Sequence, residues 1–154
     1  MSIVISEEPL SLCLDEMKPI FDSHWQEIAL YKDHIKLNPD YEKYLFMAEN
    51  GLLSVYTARN EGEIIGYAVF FISPHLHYKD HVYANNDIVY IAKEFRKSGL
   101  AVKLFTYAEK ELKANYKVDV VSVSMKNAFP FYDLMEYLGF ECIETIYSKF
   151  IGEK

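Results

Sequence analysis

The segment Arg96-Lys97-Ser98-Gly99-Leu100-Ala101 sets two cations, a hydroxyl and a glycine before a run of helical periodicity. The apolar stretch Asp87-Ile88-Val89-Tyr90-Ile91 precedes it. A helix N-terminus leaves several backbone N–H groups unpaired and carries partial positive charge. Glycine lets a ligand come close to the backbone there, and Arg96 and Lys97 add full charge beside it. Such a turn binds anions, and a diphosphate suits it. Taken alone, the same residues also read as a plain glycine turn between solvated cations, so context decides.

Other groups could move protons or hold a substrate. Asn is depleted in strands, so Asn85-Asn86-Asp87 marks a bulge, a site, or a strand that begins late. Asp87 is the one carboxylate of that run. A histidine side chain suits proton transfer near neutral pH, so in His75-Leu76-His77-Tyr78 His77 is a candidate base and His75 a candidate substrate contact. Two histidines are too few for a metal centre. Cys13 and Cys142 are far apart and match no ligand spacing, so no metal is expected and both thiols are expected reduced. In His24-Trp25-Gln26-Glu27, near the end of the first helix, Glu27 could hold a cation, and Trp25 suits either a site wall or the core.

These residues need elements to position them. Residues 2–5 suggest a short strand. Leu12, Met17, Ile20, Phe21 and Ile28 make the apolar stripe of a helix that Pro19 should break or kink. A second helix is expected over 40–49, closed by Asn50-Gly51. Strands follow at 53–59 and 64–72, joined by a turn at Asn60-Glu61-Gly62-Glu63; the second is apolar throughout and so buried on both faces. Pro74 ends it, 75–79 form a loop, and 81–91 are a third long strand. Leu100, Leu104, Phe105, Ala108 and Leu112 repeat at helical spacing. A strand over 118–125, a helix after Pro130 with a Phe131, Leu134, Met135 and Leu138 stripe, and one or two strands over 141–150 complete the chain. This order predicts an α/β fold, a mixed and mostly antiparallel sheet with helices on both faces, in one domain over residues 1–154.

In that context the Arg96–Ala101 segment resembles the Arg/Gln-x-x-Gly-x-Gly/Ala signature of the GNAT family of N-acetyltransferases, in its place between the fourth strand and third helix. Gly66-Tyr67 in a central strand and Gly139-Phe140 before the closing strand are similar to further family patterns. The resemblance implies that Arg96, Lys97, Ser98, Gly99, Leu100 and Ala101 bind the pyrophosphate of acetyl-CoA. It also implies that the fourth and fifth strands splay, and that backbone groups near Tyr90, Ile91 and Ala92 receive the pantetheine arm and the oxyanion. Several family members carry an acidic base on the fourth strand, where this chain has Asp87, which the resemblance thus makes the candidate general base; many carry a general-acid Tyr where this chain has Met135, so Tyr132, one turn earlier, is the candidate acid. The segment holding His24, Trp25 and Glu27 is expected to wall the acceptor site. The His24-Trp25, Glu27-Ile28, His75–Tyr78 and Asn86-Asp87 combination also resembles GNAT proteins of tailed bacteriophages, which would place the protein in a host cytoplasm.

The implied reaction is acetyl transfer from acetyl-CoA to a primary amine by direct attack on the thioester. The amine must first lose a proton, since an ammonium has no lone pair. The alternative is a GNAT-fold module without catalysis that senses CoA or grips a protein; the missing Tyr at position 135 keeps it open. The chain has 154 residues and a formal charge of −7. That balance disfavours nucleic acid and leans toward a cationic small molecule or a basic protein as acceptor. No basic leader and no run of ~18 apolar residues is seen, so a cytoplasmic location without membrane contact is expected. The aromatic-rich last strand is compatible with a homodimer edge.

Overall fold

The computed structural model describes residues 2–153. Its sheet has the order β1-β2-β3-β4-β5, with β1 Ile3–Glu7, β2 Leu53–Asn60, β3 Glu63–His75, β4 Tyr78–Ile91 and β5 Val118–Ser122. The first four strands pair antiparallel in sequence, and β5 joins β4 in parallel. A parallel neighbour requires a crossover, and α3 (Leu100–Tyr116) supplies it.

Side chains alternate across a strand, and both faces of this sheet are covered. On one face, Leu10, Cys13, Leu14 and Met17 of α1 (Leu10–Ile28) pack with Leu53, Val55, Tyr67 and Val69, joined by Tyr41, Tyr44 and Leu45 of α2 (Tyr41–Glu49). On the other, Leu104, Phe105, Ala108 and Leu112 of α3 pack with Tyr56, Ala68, Phe70 and Ile72. Met135 of α4 (Tyr132–Tyr137) closes that face. β2 is therefore buried from Leu53 to Ala58, polar Ser54 and Thr57 included.

Three local expectations give way. α1 runs through Pro19. Its ring is exposed, while Met17, Ile20 and Phe21 beside it pack on the sheet; that burial offsets the ~3 kcal/mol a proline costs inside a helix. The loop expected at 75–79 shrinks to Leu76 and His77, because β3 continues through Pro74 to His75 and β4 begins at Tyr78. The closing strand expected over 141–150 does not form. Ile143, Ile146 and Tyr147 stay 77, 75 and 93 % exposed, and strand propensity expresses itself only on a half-buried pleated surface. The end of this segment instead meets the α1–α2 connection. Tyr31 and Ser148 share a hydroxyl hydrogen bond of 2.9 Å, and the Phe150 ring stacks on His34 at 4.6 Å.

Candidate active site

The glycine turn sits where β4 hands over to α3. After Ile91 come a 3-10 turn, Lys93–Phe95, and then Gly99 as N-cap at φ 80°, ψ 4°. That left-handed backbone favours glycine. A Cβ would meet nothing within 4 Å, so the backbone angle and not crowding dictates the residue, and the space above it is open. No side chain caps the α3 N-terminus, which leaves its first N–H groups free to meet an anion. Lys97 is exposed and in no ion pair among the described residues. Ser98 Oγ donates to the Phe95 carbonyl at 2.6 Å; Ala101 is half-buried in the first helical turn.

The turn is fixed from below. Ile65 is the extra residue of a bulge between β2 and β3, and its carbonyl accepts from the Ala92 N–H at 2.8 Å. Leu100 packs with Ile65 and Ala58, flanked by Ile91, Ala92 and Phe95. Ala92 therefore has its N–H engaged within the protein. The Ile91 carbonyl accepts from Arg96 Nε at 2.9 Å and keeps a second lone pair.

Arg96 does not stand free beside the glycine. Its two terminal nitrogens meet both Glu27 oxygens, at 2.9 and 3.2 Å. The guanidinium hydrogen bond holds the Glu27 carboxyl below the usual range against burial. A candidate coenzyme contact and a candidate substrate contact thus neutralise each other. His24, one turn before Glu27, is buried with its ring 5.4 Å from that of Tyr90, and its Nδ1 has no partner. Burial pushes this imidazole down, toward the neutral form, with Glu27 opposing and Arg96 adding to the effect. Trp25 is half-buried in the same helical turn.

β4 and β5 part midway. Their ladder runs from Val82↔Val118 to Asn85↔Ser122 and stops. The Asn86 side chain makes the last link, donating to the Ser124 carbonyl at 3.2 Å and accepting from the Ser124 N–H at 2.7 Å. Beyond it β4 continues to Ile91 with no strand on that edge among the described residues. At the same point β4 bulges: Ile88 pairs with Val69 and Asn86 with Phe70, leaving Asp87 as the extra residue. Of the three readings of Asn85-Asn86-Asp87, the structure shows the bulge.

Asp87 turns toward α2, where Tyr44 Oη donates to its carboxylate at 2.5 Å. Asp87 keeps solvent exposure, yet the protein packed around its carboxyl pushes it up, and the Tyr44 bond pulls it back only in part. Tyr44 also lines a cleft of about 320 Å³ with Asp40, Lys43, Met47 and Phe71. A larger depression of about 390 Å³ holds Glu7, Glu8, Glu49 and Tyr116. It lies at the C-terminal end of α3, ~25 Å along the helix from the glycine turn.

Not every candidate converges here. His75 and His77 occupy the β3–β4 hairpin, where His75 packs on His77, Tyr78 and Tyr83. Eight strand residues lie between Tyr78 and Asp87, a span of ~30 Å at the usual rise. Met135 is 7 % exposed in the core under α3. Tyr132, at the start of α4, is 60 % exposed. Sequence reasoning missed Tyr44, one of 13 tyrosines with nothing in its neighbours to mark it. It also missed the Arg96–Glu27 pair and the Ile65 bulge.

A bulged β4 that parts from β5 thus leads directly into an uncapped helix N-terminus. The acetyltransferase (GNAT) family model matches residues 14–140. The chain belongs to that family, and as a member it is an acetyltransferase with acetyl-CoA as co-substrate. Solved structures agree on the fold. An aminoglycoside acetyltransferase from an uncultured soil metagenomic sample superposes at TM-score 0.76 and 19 % identity, covering 99 % of this chain and 100 % of its own. A ribosomal-protein-alanine N-acetyltransferase from Brucella melitensis biovar Abortus 2308 gives 0.70 at 16 % identity, covering 96 % and 99 %. A predicted acetyltransferase from Clostridium acetobutylicum, solved with acetyl-CoA, gives 0.66 at 16 % identity, covering 97 % of each chain. A search of curated proteins finds no match. No helix among the described residues is long and apolar enough to cross a membrane.

Proposed function

We propose that residues 1–154 form one N-acetyltransferase domain that moves an acetyl group from acetyl-CoA to a primary amine by direct attack on the thioester. The observation that carries this reading is the uncapped α3 N-terminus behind a left-handed Gly99, at the mouth of the β4/β5 split. The turn from Arg96 to Ala101 receives the diphosphate, with Lys97 as its free cation. The unpartnered edge of β4 near Tyr90 receives the pantetheine arm, and a backbone N–H there meets the developing oxyanion.

Asp87 serves as the general base on the acceptor ammonium, because it is a carboxylate at the bulge where the strands part, and the protein packed around it raises its proton affinity. The thiolate takes its proton from Tyr132 or from water. The exposure of Tyr132 supports either route. The distance along β4 removes His77 and His75 from the reacting centre in this reading. His24, Trp25 and Glu27 wall the site from α1.

The acceptor is a cationic small amine or a protein amine, as the charge of −7 favours. Among structural neighbours, one is named for aminoglycosides and another for a ribosomal-protein alanine. The reading includes a cytoplasmic enzyme that does not bind nucleic acid, either monomer or homodimer, phage-encoded if its histidine segments reflect descent. A non-catalytic CoA-binding module is favoured by one fact, the core packing of Met135 at the position where many family members carry a Tyr.

Calorimetric titration with acetyl-CoA, CoA and an ATP control tests the site. Saturable binding of both CoA species, abolished by Gly99→Glu while the fold is kept, is the expected result. Unchanged affinity in a folded Gly99→Glu protein overturns the diphosphate assignment.

A further inference from the structure

Asp87 is skipped by the β3 ladder where the register shifts between Val69 and Phe70, so backbone pairing does not orient it. An unpaired bulge residue would ordinarily leave its side chain free to sample rotamers, yet Tyr44 reaches from α2 and holds one carboxylate oxygen at 2.5 Å. The Tyr44 ring is itself seated: it lies 6.3 Å from Phe71, and Tyr44 packs in the core beneath α1 and α2. The hydroxyl therefore comes from a rigid helix to a residue the strand has released. We propose that Tyr44 is the positioning residue for Asp87, fixing its carboxylate at the strand split and keeping it ionised for proton abstraction. The proposal rests on Asp87 being the base.

The surroundings allow no other group this role. α2 also brings Tyr41 and Lys43 to this face, and Asp40 begins the helix, but Asp40 is occupied in capping it through the Lys43 N–H at 3.0 Å. β3 contributes Tyr67, stacked on Tyr90 of β4 at 5.4 Å, and α1 contributes His24 against Tyr90. No cation among the described residues pairs with Asp87. Among the described residues Tyr44 is thus the sole side-chain donor to this carboxylate. A base must be both oriented and deprotonated, and one hydroxyl does both. Because the same side chain lines the 320 Å³ cleft, a molecule entering there touches the residue that holds the base.

The test needs no acceptor. Asp side-chain carboxyls, labelled with carbon-13, are titrated by NMR, and the Asp87 resonance is assigned by its disappearance in Asp87→Asn. Tyr44→Phe keeps the ring and its packing and deletes only the donor. Its Asp87 carboxyl is expected to titrate about one to two pH units higher, the size of one hydrogen bond to a charged group. Met47→Leu, which alters the same cleft without removing the ring contact that seats Tyr44, is expected to leave that titration in place. An Asp87 titration unmoved in Tyr44→Phe, or moved equally by Met47→Leu, overturns the proposal. Turnover in Asp87→Asn is a separate question: full activity there overturns the base assignment, whatever the titration shows.

Discussion

Arg96 and Glu27 form a two-pronged ion pair across 69 residues of sequence, joining the last turn of α1 to the loop that precedes α3. The pair does two opposing things. It fixes the loop and it cancels a positive charge that a diphosphate would otherwise feel. Glu27→Gln should therefore tighten acetyl-CoA binding by roughly two- to fivefold at low salt, the scale of a partly exposed charge contact worth up to about 1 kcal/mol. The gain should fade as ionic strength rises. Calorimetry at two salt concentrations checks both parts. An affinity that falls instead would mean that holding the loop outweighs freeing the charge.

Gly66 faces its register partner Ile91 on the neighbouring strand at close range. A Cβ there would stand 2.9 Å from Ile91 Cδ1 and 3.0 Å from the Tyr90 carbonyl. The methyl of Gly66→Ala must push β4 outward at the end that feeds the coenzyme turn. A loss of about 1–3 kcal/mol in chemical denaturation is expected, together with weaker acetyl-CoA binding. A stable variant with unchanged affinity would show that β4 yields there freely.

Arg59 bridges Glu8 and Glu16, at 2.9 and 2.8 Å. Burial pushes the Glu8 carboxyl up, but hydrogen bonds from Arg59 and Thr57 outweigh it and leave the group below its ordinary value. Arg59 lowers Glu16 likewise. A carboxyl with a depressed folded pKa contributes fully above its unfolded value and loses that contribution as pH falls through the folded one. Stability should thus decline from about pH 5 to about pH 3. Arg59→Gln should be less stable at neutral pH and show a shallower decline. Urea melts at several pH values decide this; parallel curves would deny the linkage.

The two thiols should differ sharply. Cys13 is fully buried under α1, and burial pushes its thiol up to about 11, whereas Cys142 is exposed. Thiolate is the reactive form. A maleimide at neutral pH should label Cys142 quickly in the native protein and Cys13 only on unfolding, as mass spectrometry of the labelled peptides would show. Rapid native labelling of Cys13 would contradict the packing of α1.

What the sequence revealed was whatever local chemistry encodes. The Arg96–Ala101 turn, the α3 stripe, the apolar β3 and the Asn-Asn-Asp irregularity are each written in adjacent residues, and all appear in the structure. Pro19 misled because packing across the sheet overrode a backbone preference. Residues 141–150 misled because their apolar pattern has no sheet face to cover it. Tyr44 and Glu27 were unreadable in the roles they hold, because each depends on a partner dozens of residues away. Which tyrosine reaches Asp87, and whether Arg96 is free, are properties of helix placement and not of any short motif.

The bulge at Asp87 also changes how β4 must be counted. Ala84 and Asn86 pair with Ile72 and Phe70, on the α3 side, whereas past the bulge Val89 takes that side and Ile88 and Tyr90 turn to α1 and α2. Even positions and odd positions exchange faces at one residue, like a shift of reading frame within a strand. Substitution at 87 changes a side chain. Deletion of Asp87 would remove the extra residue and leave Ile88, Val89 and Tyr90 opposite the same β3 partners, whereas one further inserted residue taken into the ladder would turn Tyr90 to the α3 face. This stretch should therefore tolerate the loss of one letter better than the gain of one.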